Sequence, residues 1–175
     1  MELRCTDSPE AVRDDVNGLV ELHNARWNRQ SGWLTDGLQD TMVEAGRLLV
    51  GSGDFRLWKL VLGEKMIGAA LFARAGDVSE ALLTAFDPAW SRLGPGIGTL
   101  VAGVQHELDS GVRLVDFGGG LRYLQQLANA EFPAAIYELF PTNRGMPIAR
   151  ARWLVPLRLR TWLQAGGIRR ARVGE

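Results

Sequence analysis

The spacing of apolar positions predicts two helices at the start of the chain. Residues 7–10, Asp-Ser-Pro-Glu, carry the signals of a helix start: a capping side chain, a proline for the first turn and an acid near the positive end of the helix dipole. Apolar residues then recur every three or four positions as far as Trp27, as they do on a helix that packs one face on a core. The same spacing over residues 36–50, ended by Gly-Ser-Gly, predicts a second helix.

The period then changes to that of strands. Residues 55–62 and 66–72 alternate and are joined by a short turn, so they predict a hairpin, and a third strand follows at 81–86. Beyond these three antiparallel strands we predict, in order, a glycine-rich loop at 92–99, a helix at 99–108, a strand at 112–117, a helix at 121–130, a strand at 134–140 and a C-terminal helix opened by Pro147. This order predicts an α/β fold with a mixed sheet and helices on both faces, in a single domain over residues 1–175.

Composition narrows the possible functions. Lys+Arg and Asp+Glu number 20 each, so no general electrostatic field would gather DNA. The single cysteine, Cys5, excludes an internal disulfide and makes the cytoplasm the expected compartment. With one Cys and two His, a zinc site is improbable, and we predict no metal.

The C-terminal segment, residues 146–170, combines arginines with an apolar side. Such a helix can lie on a membrane surface. Pro156 interrupts it, however, and a solvated basic face over a packed stripe accounts for the pattern more simply. The sequence leaves open a weak membrane contact here, and it also leaves open a homodimer.

The loop at 92–99, Arg-Leu-Gly-Pro-Gly-Ile-Gly-Thr, is the strongest candidate for binding chemistry. At the start of a helix, main-chain amides can hold phosphate oxygens and the helix dipole favours an anion. Glycines let a ligand approach those amides closely. We therefore expect free, convergent amides around Gly94, Gly96 and Gly98.

The loop departs from two common phosphate-binding motifs. A dinucleotide fold needs G-x-G-x-x-G directly after a strand, but here Thr99 takes the third glycine position, although Asp116 lies at the spacing of a ribose contact. A P-loop needs Gly-Lys-Ser/Thr, which is missing. A glycine-rich connection that merely turns the chain is the structural alternative.

The loop and the order of elements together resemble the GNAT acyltransferases, whose acyl-CoA loop is Gln/Arg-x-x-Gly-x-Gly/Ala. Gly96 and Gly98 take the two glycine positions, whereas Leu93 stands where the family has Gln or Arg, and Arg92 precedes it.

From about Leu22 onward the chain also resembles the BioF2-like (CelD/BcsL-type) GNAT subfamily. The resemblance rests on residues 22–27, on Phe-Asp-Pro-Ala-Trp at 86–90 running into Pro-Gly, and on Val-Asp-Phe-Gly at 115–118. The subfamily's Gly-Asp-x-x-Tyr-Lys is altered here: a glycine and Tyr123 remain, but Asp and Lys are replaced.

The resemblance implies a fold in which antiparallel strands are followed by a splayed parallel pair, with acetyl-CoA as acyl donor. Ala85 and Phe86 would border the slot between the splayed strands and face residues 115–117. The implied donor-binding residues are Ala85, Phe86, Arg92, Leu93, Gly94, Gly96, Ile97, Gly98 and Thr99.

Four residues are candidates for the chemistry. Tyr123 lies where the family often places the acid that protonates the thiolate, and Asp87 and Asp116, expected on one rim of the sheet, could relay a proton. His23 is a candidate base. Each has a structural alternative: a packed tyrosine, aspartates that cap turns, and a histidine buried in the core.

These observations predict an acyltransferase that moves an acyl group, most simply acetyl, from CoA to an amine or hydroxyl of a small metabolite or glycan precursor. A FemAB-like aminoacyl transferase is the alternative within the fold. A catalytically inactive binding module in polysaccharide synthesis is the alternative of another class, because the residues around Tyr123 are altered.

Overall fold

The computed structural model of the chain describes residues 1–27, 34, 36–118 and 124–130. The chain divides into the units Met1–Asn129 and Ala130–Glu175, and all described residues except Ala130 belong to the first. The strand predicted at 134–140, the C-terminal helix and the basic segment 146–170 lie outside the described residues. The single domain over 1–175 stays a prediction.

A five-stranded mixed sheet forms the centre of the first unit. Its strands are β1 (Glu2–Cys5), β2 (Phe55–Leu62), β3 (Lys65–Ala75), β4 (Val78–Phe86) and β5 (Leu114–Asp116), and they lie side by side in that order. Neighbours from β1 to β4 pair antiparallel, whereas β4 and β5 pair parallel. This confirms the predicted mixed sheet, and the structure adds β1 to the strands predicted from the sequence.

Helices α1 (Pro9–Trp27) and α2 (Asp36–Leu49) cover one face of the sheet, in agreement with both predicted helices. Side chains at alternate strand positions, including Leu57, Leu71 and Ala85, form one buried cluster with the apolar faces of these helices. Every second residue of these strands therefore packs against helix residues that recur every three to four positions.

Helix α3 (Pro95–Asp109) covers the opposite face, so helices lie on both sides as predicted. The intervening residues of β3, Ala70 and Phe72, pack there against Leu100. The helix begins at Pro95, four residues earlier than predicted, because a proline at its first position fits the fixed backbone angle of a helix start. Of the helix predicted at 121–130, the described part contains a short 3-10 turn at Leu124–Gln126.

Two part-buried ion pairs join helices to β2. Lys59 donates to both carboxylate oxygens of Asp15 on α1, at 2.5 and 2.6 Å, and Thr6 donates to the same carboxylate at 2.6 Å. On the other face, Arg56 donates to the buried Glu107 of α3 at 2.7 Å. Removing one partner of such a pair strands a charge in the interior, so the pairs hold both helices in one position.

Among the described residues, no helix combines the length and apolar character that crossing a membrane requires.

Candidate active site

Strand β4 is paired with β5 over only part of its length. The parallel ladder joins Val78, Ser79 and Glu80 to residues 114–116, whereas β4 continues to Phe86. Within the part of the chain that the structure describes, no strand pairs with that side of β4 beyond Glu80. Residues 81–86 therefore form an open edge of β4, as expected for a splayed parallel pair.

A β-bulge marks the place where the open edge begins. In the ladder between β3 and β4, Leu71 faces Leu83 and Phe72 faces Ala81, so Leu82 is an extra residue on β4. A bulge bends its strand and interrupts the regular ladder. Leu82 lies two residues past the end of the β5 pairing, so the bulge is at the inner end of the open edge.

The segment between β4 and α3 is more ordered than the predicted loop. Residues Pro88–Leu93 form a short 3-10 helix, capped by the Asp87 carboxylate, which accepts from the amide of Ala89 at 2.9 Å. Gly94 links this helix to α3 in a left-handed conformation, with φ of 60°, that favours glycine.

Only some of the predicted amides are available to a ligand. The Gly94 amide donates to Ser91 O at 3.0 Å and the Gly98 amide to Gly94 O at 2.9 Å, which corrects the expectation that both are free. The amides of Gly96 and Ile97, in the first turn of α3, have no acceptor among the described residues. Such first-turn amides carry the positive end of the helix dipole.

Close packing brings the start of α3 against the end of β4. A Cβ on Gly96 would lie 2.9 Å from Cδ1 of Phe86, and one on Gly68 in β3 would lie 2.7 Å from the main-chain oxygen of Pro95. Both glycines therefore permit the approach. A Cβ on Gly98 would meet nothing within 4 Å, so Gly98 is open on its outer side.

A cleft of about 190 Å³ opens at this junction. Its lining consists of Arg26, Thr84, Phe86, Ser91, Gly94, Pro95, Gly96 and Ile97. None of these is an acid. The cleft thus combines free amides at a helix start with the cation of Arg26, an arrangement that favours an anion.

Four of the predicted donor-binding residues line the cleft: Phe86, Gly94, Gly96 and Ile97. Gly98 lies one residue beyond. Ala85 is buried instead in the cluster with α1 and α2, and the hydroxyl of the buried Thr99 donates to Pro95 O at 2.6 Å.

Arg92 and Leu93 are exposed and are not among the lining residues. Four lining residues, Arg26, Thr84, Ser91 and Pro95, were not among the predicted site residues. Alternation along β4 from Phe86 could have indicated Thr84, whereas Arg26 comes from a helix distant in sequence.

The structure does not bring Asp87 and Asp116 to one rim. Asp116 pairs with Glu80, six residues before Phe86, which is about 20 Å along the strand. The register also corrects the expectation that residues 115–117 face Ala85 and Phe86, because Val115 faces Ser79.

Both aspartates take part in local hydrogen bonds. Asp87 pairs with Lys65 at 2.7 Å and caps the 3-10 helix, and these contacts hold the pKa of its carboxyl below the ordinary value. Asp116 accepts from the amide of Gly118 at 2.7 Å. These are the turn-capping roles that the sequence left open for them. A catalytic role for either residue stays a prediction, and Tyr123 lies outside the described residues.

His23 is buried on α1, with its ring 6.4 Å from that of Trp27. Burial, followed by the charge of Arg26, lowers its pKa below the ordinary value. Its role as a base stays a prediction.

We expect His23 to make the folded protein less stable in mild acid. Because folding lowers the pKa of His23, the unfolded chain binds more protons than the folded protein once the pH falls below the unfolded pKa of about 6.5. The free energy of unfolding should therefore be highest above that pH, decrease as the pH drops through it, and level off below the lowered pKa. Denaturant unfolding between pH 5 and 8 measures this, with His23→Gln flattening the slope and His106→Gln, at an exposed site, retaining it. An unchanged slope in His23→Gln would contradict the prediction.

In the part of the chain that the structure describes, no three or more His, Cys, Asp or Glu side chains are grouped to hold a metal ion.

Comparison with known proteins identifies the family. A model described as an acetyltransferase (GNAT) domain matches residues 1–125. No curated protein sequence matches the chain.

Solved structures with a similar fold include proteins described as acetyltransferases. An aminoglycoside acetyltransferase from an uncultured soil metagenomic sample, solved with sisomicin, is 15% identical and aligns over 81% of this chain and 96% of its own, with a TM-score of 0.60. A protein from Clostridium acetobutylicum described as an acetyltransferase, solved with acetyl-CoA, is 10% identical over 79% and 95%, with a TM-score of 0.61. A ribosomal-protein-alanine N-acetyltransferase from Brucella melitensis is 8% identical over 80% and 99%, with a TM-score of 0.55. At these identities the likeness shows the fold.

Because the family model spans 125 of the 175 residues and the observed fold agrees with it, the chain belongs to the GNAT family of N-acetyltransferases, which use acetyl-CoA as acetyl donor.

Proposed function

We propose that this domain transfers an acetyl group from acetyl-CoA to an amine or hydroxyl of a small metabolite or glycan precursor. The observation that carries the proposal is the cleft at the start of α3. There the free amides of Gly96 and Ile97 and the guanidinium of Arg26 adjoin the open edge of β4, and no acid lines the cavity.

The described residues fit this donor in two ways. The diphosphate would be held at the first turn of α3, where Gly96 and Ile97 line the cleft with amides that have no acceptor among the described residues, and where Gly98 is open on its outer side. The open edge of β4 offers unpaired main-chain donors and acceptors to an extended arm, as a sheet edge does to an added strand. When bound, acetyl-CoA supplies the activated acyl group that the acceptor attacks.

The protein's part in the chemistry is mainly positioning and proton transfer. An amine acceptor must be neutral, and the developing negative charge needs a hydrogen-bond donor. The main chain near the Leu82 bulge is our candidate for that donor, because it lies at the inner end of the open edge, just past the last residue that pairs with β5. Asp87 is a weak candidate base, since a carboxyl whose pKa is lowered holds protons poorly. Tyr123 remains the proposed acid for the thiolate.

Solved structures of the same fold guide the choice of acceptors to test. The aminoglycoside acetyltransferase of the same fold was solved with sisomicin and also with trehalose. This supports testing amino sugars and glycans first. Assignment to the BioF2-like subfamily belongs to the proposal as well and points to the same class of acceptor.

The inactive binding module stays the second candidate. The replacement of Asp and Lys around Tyr123 supports it, because those residues accompany the tyrosine in the subfamily that the chain resembles.

Acetyl-CoA should stabilise the protein against heat, and amines or sugars should then release free CoA thiol. Binding to the folded state raises the melting temperature by mass action, with roughly 2.7 kcal/mol gained at 100 times the dissociation constant. Thiol release is read with a chromogenic disulfide. Burial raises the pKa of Cys5 to about 11, so the protein's own thiol stays protonated at pH 8 and contributes little signal.

Three outcomes separate the candidates. Stabilisation with thiol release supports the transferase. Stabilisation without release across a panel of amino sugars, polyamines and hydroxyl acceptors supports the binding module. A melting temperature unmoved by millimolar acetyl-CoA contradicts both.

A further inference from the structure

Arg26, in the last turn of α1, reaches the cleft from outside the glycine-rich segment. Its guanidinium carbon lies 4.7 Å from the centroid of the Phe86 ring and 5.1 Å from that of Trp27. The Phe86 ring in turn packs on Gly96, where a Cβ would lie 2.9 Å from Cδ1. The exposed cation of Arg26 thus stacks on the Phe86 ring, which in turn packs on the first turn of α3.

The charge of Arg26 is not neutralised by the described part of the chain. No carboxylate there lies within ion-pair distance of its guanidinium, and the cleft lining contains no acid. Asp87 directly follows the cleft residue Phe86, but its carboxylate pairs with Lys65 and accepts a hydrogen bond from the Ala89 amide.

The glycine-rich segment itself brings no cation to the cleft. Leu93 occupies the position where the family's loop has Gln or Arg, and its side chain is 60% exposed. Arg92 is also exposed and does not line the cleft. Among the residues that line the cleft, Arg26 is therefore the one that carries a cation.

We propose that Arg26 is a donor-binding residue whose guanidinium binds the diphosphate of acyl-CoA together with the amides of Gly96 and Ile97. It takes over, from α1, the role of the missing basic residue in the loop. A guanidinium stacked on an aromatic ring keeps its N–H groups free at the edge, and its fork matches two phosphate oxygens. The inference rests on the proposed function, because it assumes that acyl-CoA binds in this cleft.

Two different roles would also suit a cation at this position. A cation in the last turn of a helix stabilises the helix dipole, with no ligand involved. Alternatively, Arg26 could bind a carboxylate of the acceptor. Neither role involves CoA, so the affinity for CoA distinguishes them from the proposal.

The test measures CoA affinity by calorimetry for the wild type and for Arg26→Gln, Arg26→Lys and Arg13→Gln. We expect Arg26→Gln to weaken CoA about tenfold, and Arg26→Lys to weaken it less because the charge stays while the fork is lost. Arg13→Gln removes the same charge from an exposed position of α1, about 20 Å away along the helix, and should leave the affinity unchanged. The melting temperature of each variant without ligand checks that the fold is retained.

Dephospho-CoA, which lacks the 3′-phosphate, identifies the group that Arg26 binds. An equal loss for CoA and dephospho-CoA in Arg26→Gln supports the diphosphate, whereas a loss confined to CoA would assign Arg26 to the 3′-phosphate and overturn the proposal. Wild-type affinity in Arg26→Gln would overturn it too, while leaving the proposed function intact. A wild type that binds neither ligand at millimolar concentration would overturn the proposed function itself.

Discussion

Gly98→Glu should remove the stabilisation by acetyl-CoA while leaving the free protein as stable as the wild type. Gly98 is exposed in the first turn of α3, and a Cβ there meets nothing within 4 Å. The new carboxylate would lie beside the amides of Gly96 and Ile97, occupy the positive end of the helix dipole and repel the diphosphate. At roughly 6 Å and an effective dielectric constant of about 20, one pair of like charges costs about 3 kcal/mol, or roughly 100-fold in affinity.

Position 98 is a better probe than position 96. At Gly96 any side chain would collide with the Phe86 ring, so lost binding there would be confounded with lost packing. Gly98→Ala should bind normally, because it adds volume without charge.

Gly37→Glu is the matched control for Gly98→Glu. It adds the same charge to the first turn of α2, where a Cβ also meets nothing within 4 Å. Thermal shifts against acetyl-CoA concentration measure all three variants. A normal response in Gly98→Glu would show that the start of α3 is not the donor site.

Gly68→Ala should destabilise the protein and weaken the response to acetyl-CoA together. Gly68 lies inside β3, where alanine is ordinarily as good as glycine or better. Here the added Cβ would lie 2.7 Å from the main-chain oxygen of Pro95 and 2.9 Å from its carbon, so the first turn of α3 would have to move. Overpacking of this kind costs about 1–3 kcal/mol.

Denaturant unfolding and thermal shift measure the two effects of Gly68→Ala. Gly98→Ala is the control, because it makes the same change in the first turn of α3, where the added Cβ meets no atom within 4 Å. If Gly68→Ala unfolds and binds as the wild type does, the contact between β3 and Pro95 does not set the position of the cleft.

The elements with a clear period were predicted well. The helices from residue 9 and over 36–50, and the strand at 55–62, agree with the structure within a few residues. Their apolar spacing reports directly which face is buried. β1 was not predicted because it has four residues, two of them charged, which is too short for an alternating apolar pattern to be recognised. Its strand conformation is stabilised by pairing with β2.

The glycine-rich segment lies between β4 and α3, as predicted, but its local form differs from the prediction. Glycine has low helix propensity, so residues 95–98 were predicted as loop although they form the first turn of α3. The start of the helix determines which amides are free. The Gly98 amide donates to the main-chain oxygen of Gly94, whereas the amides of Gly96 and Ile97 have no such acceptor among the described residues.

The sequence by itself determined the mixed α/β fold, the two helix-covered faces and the place of the glycine-rich segment, because period and turn residues act locally. Only the tertiary structure decided that β5 pairs with the first part of β4, that the start of α3 packs closely on Gly68, and that Arg26 reaches the cleft. Strand register and the approach of distant helices depend on packing between segments, and no local pattern encodes them.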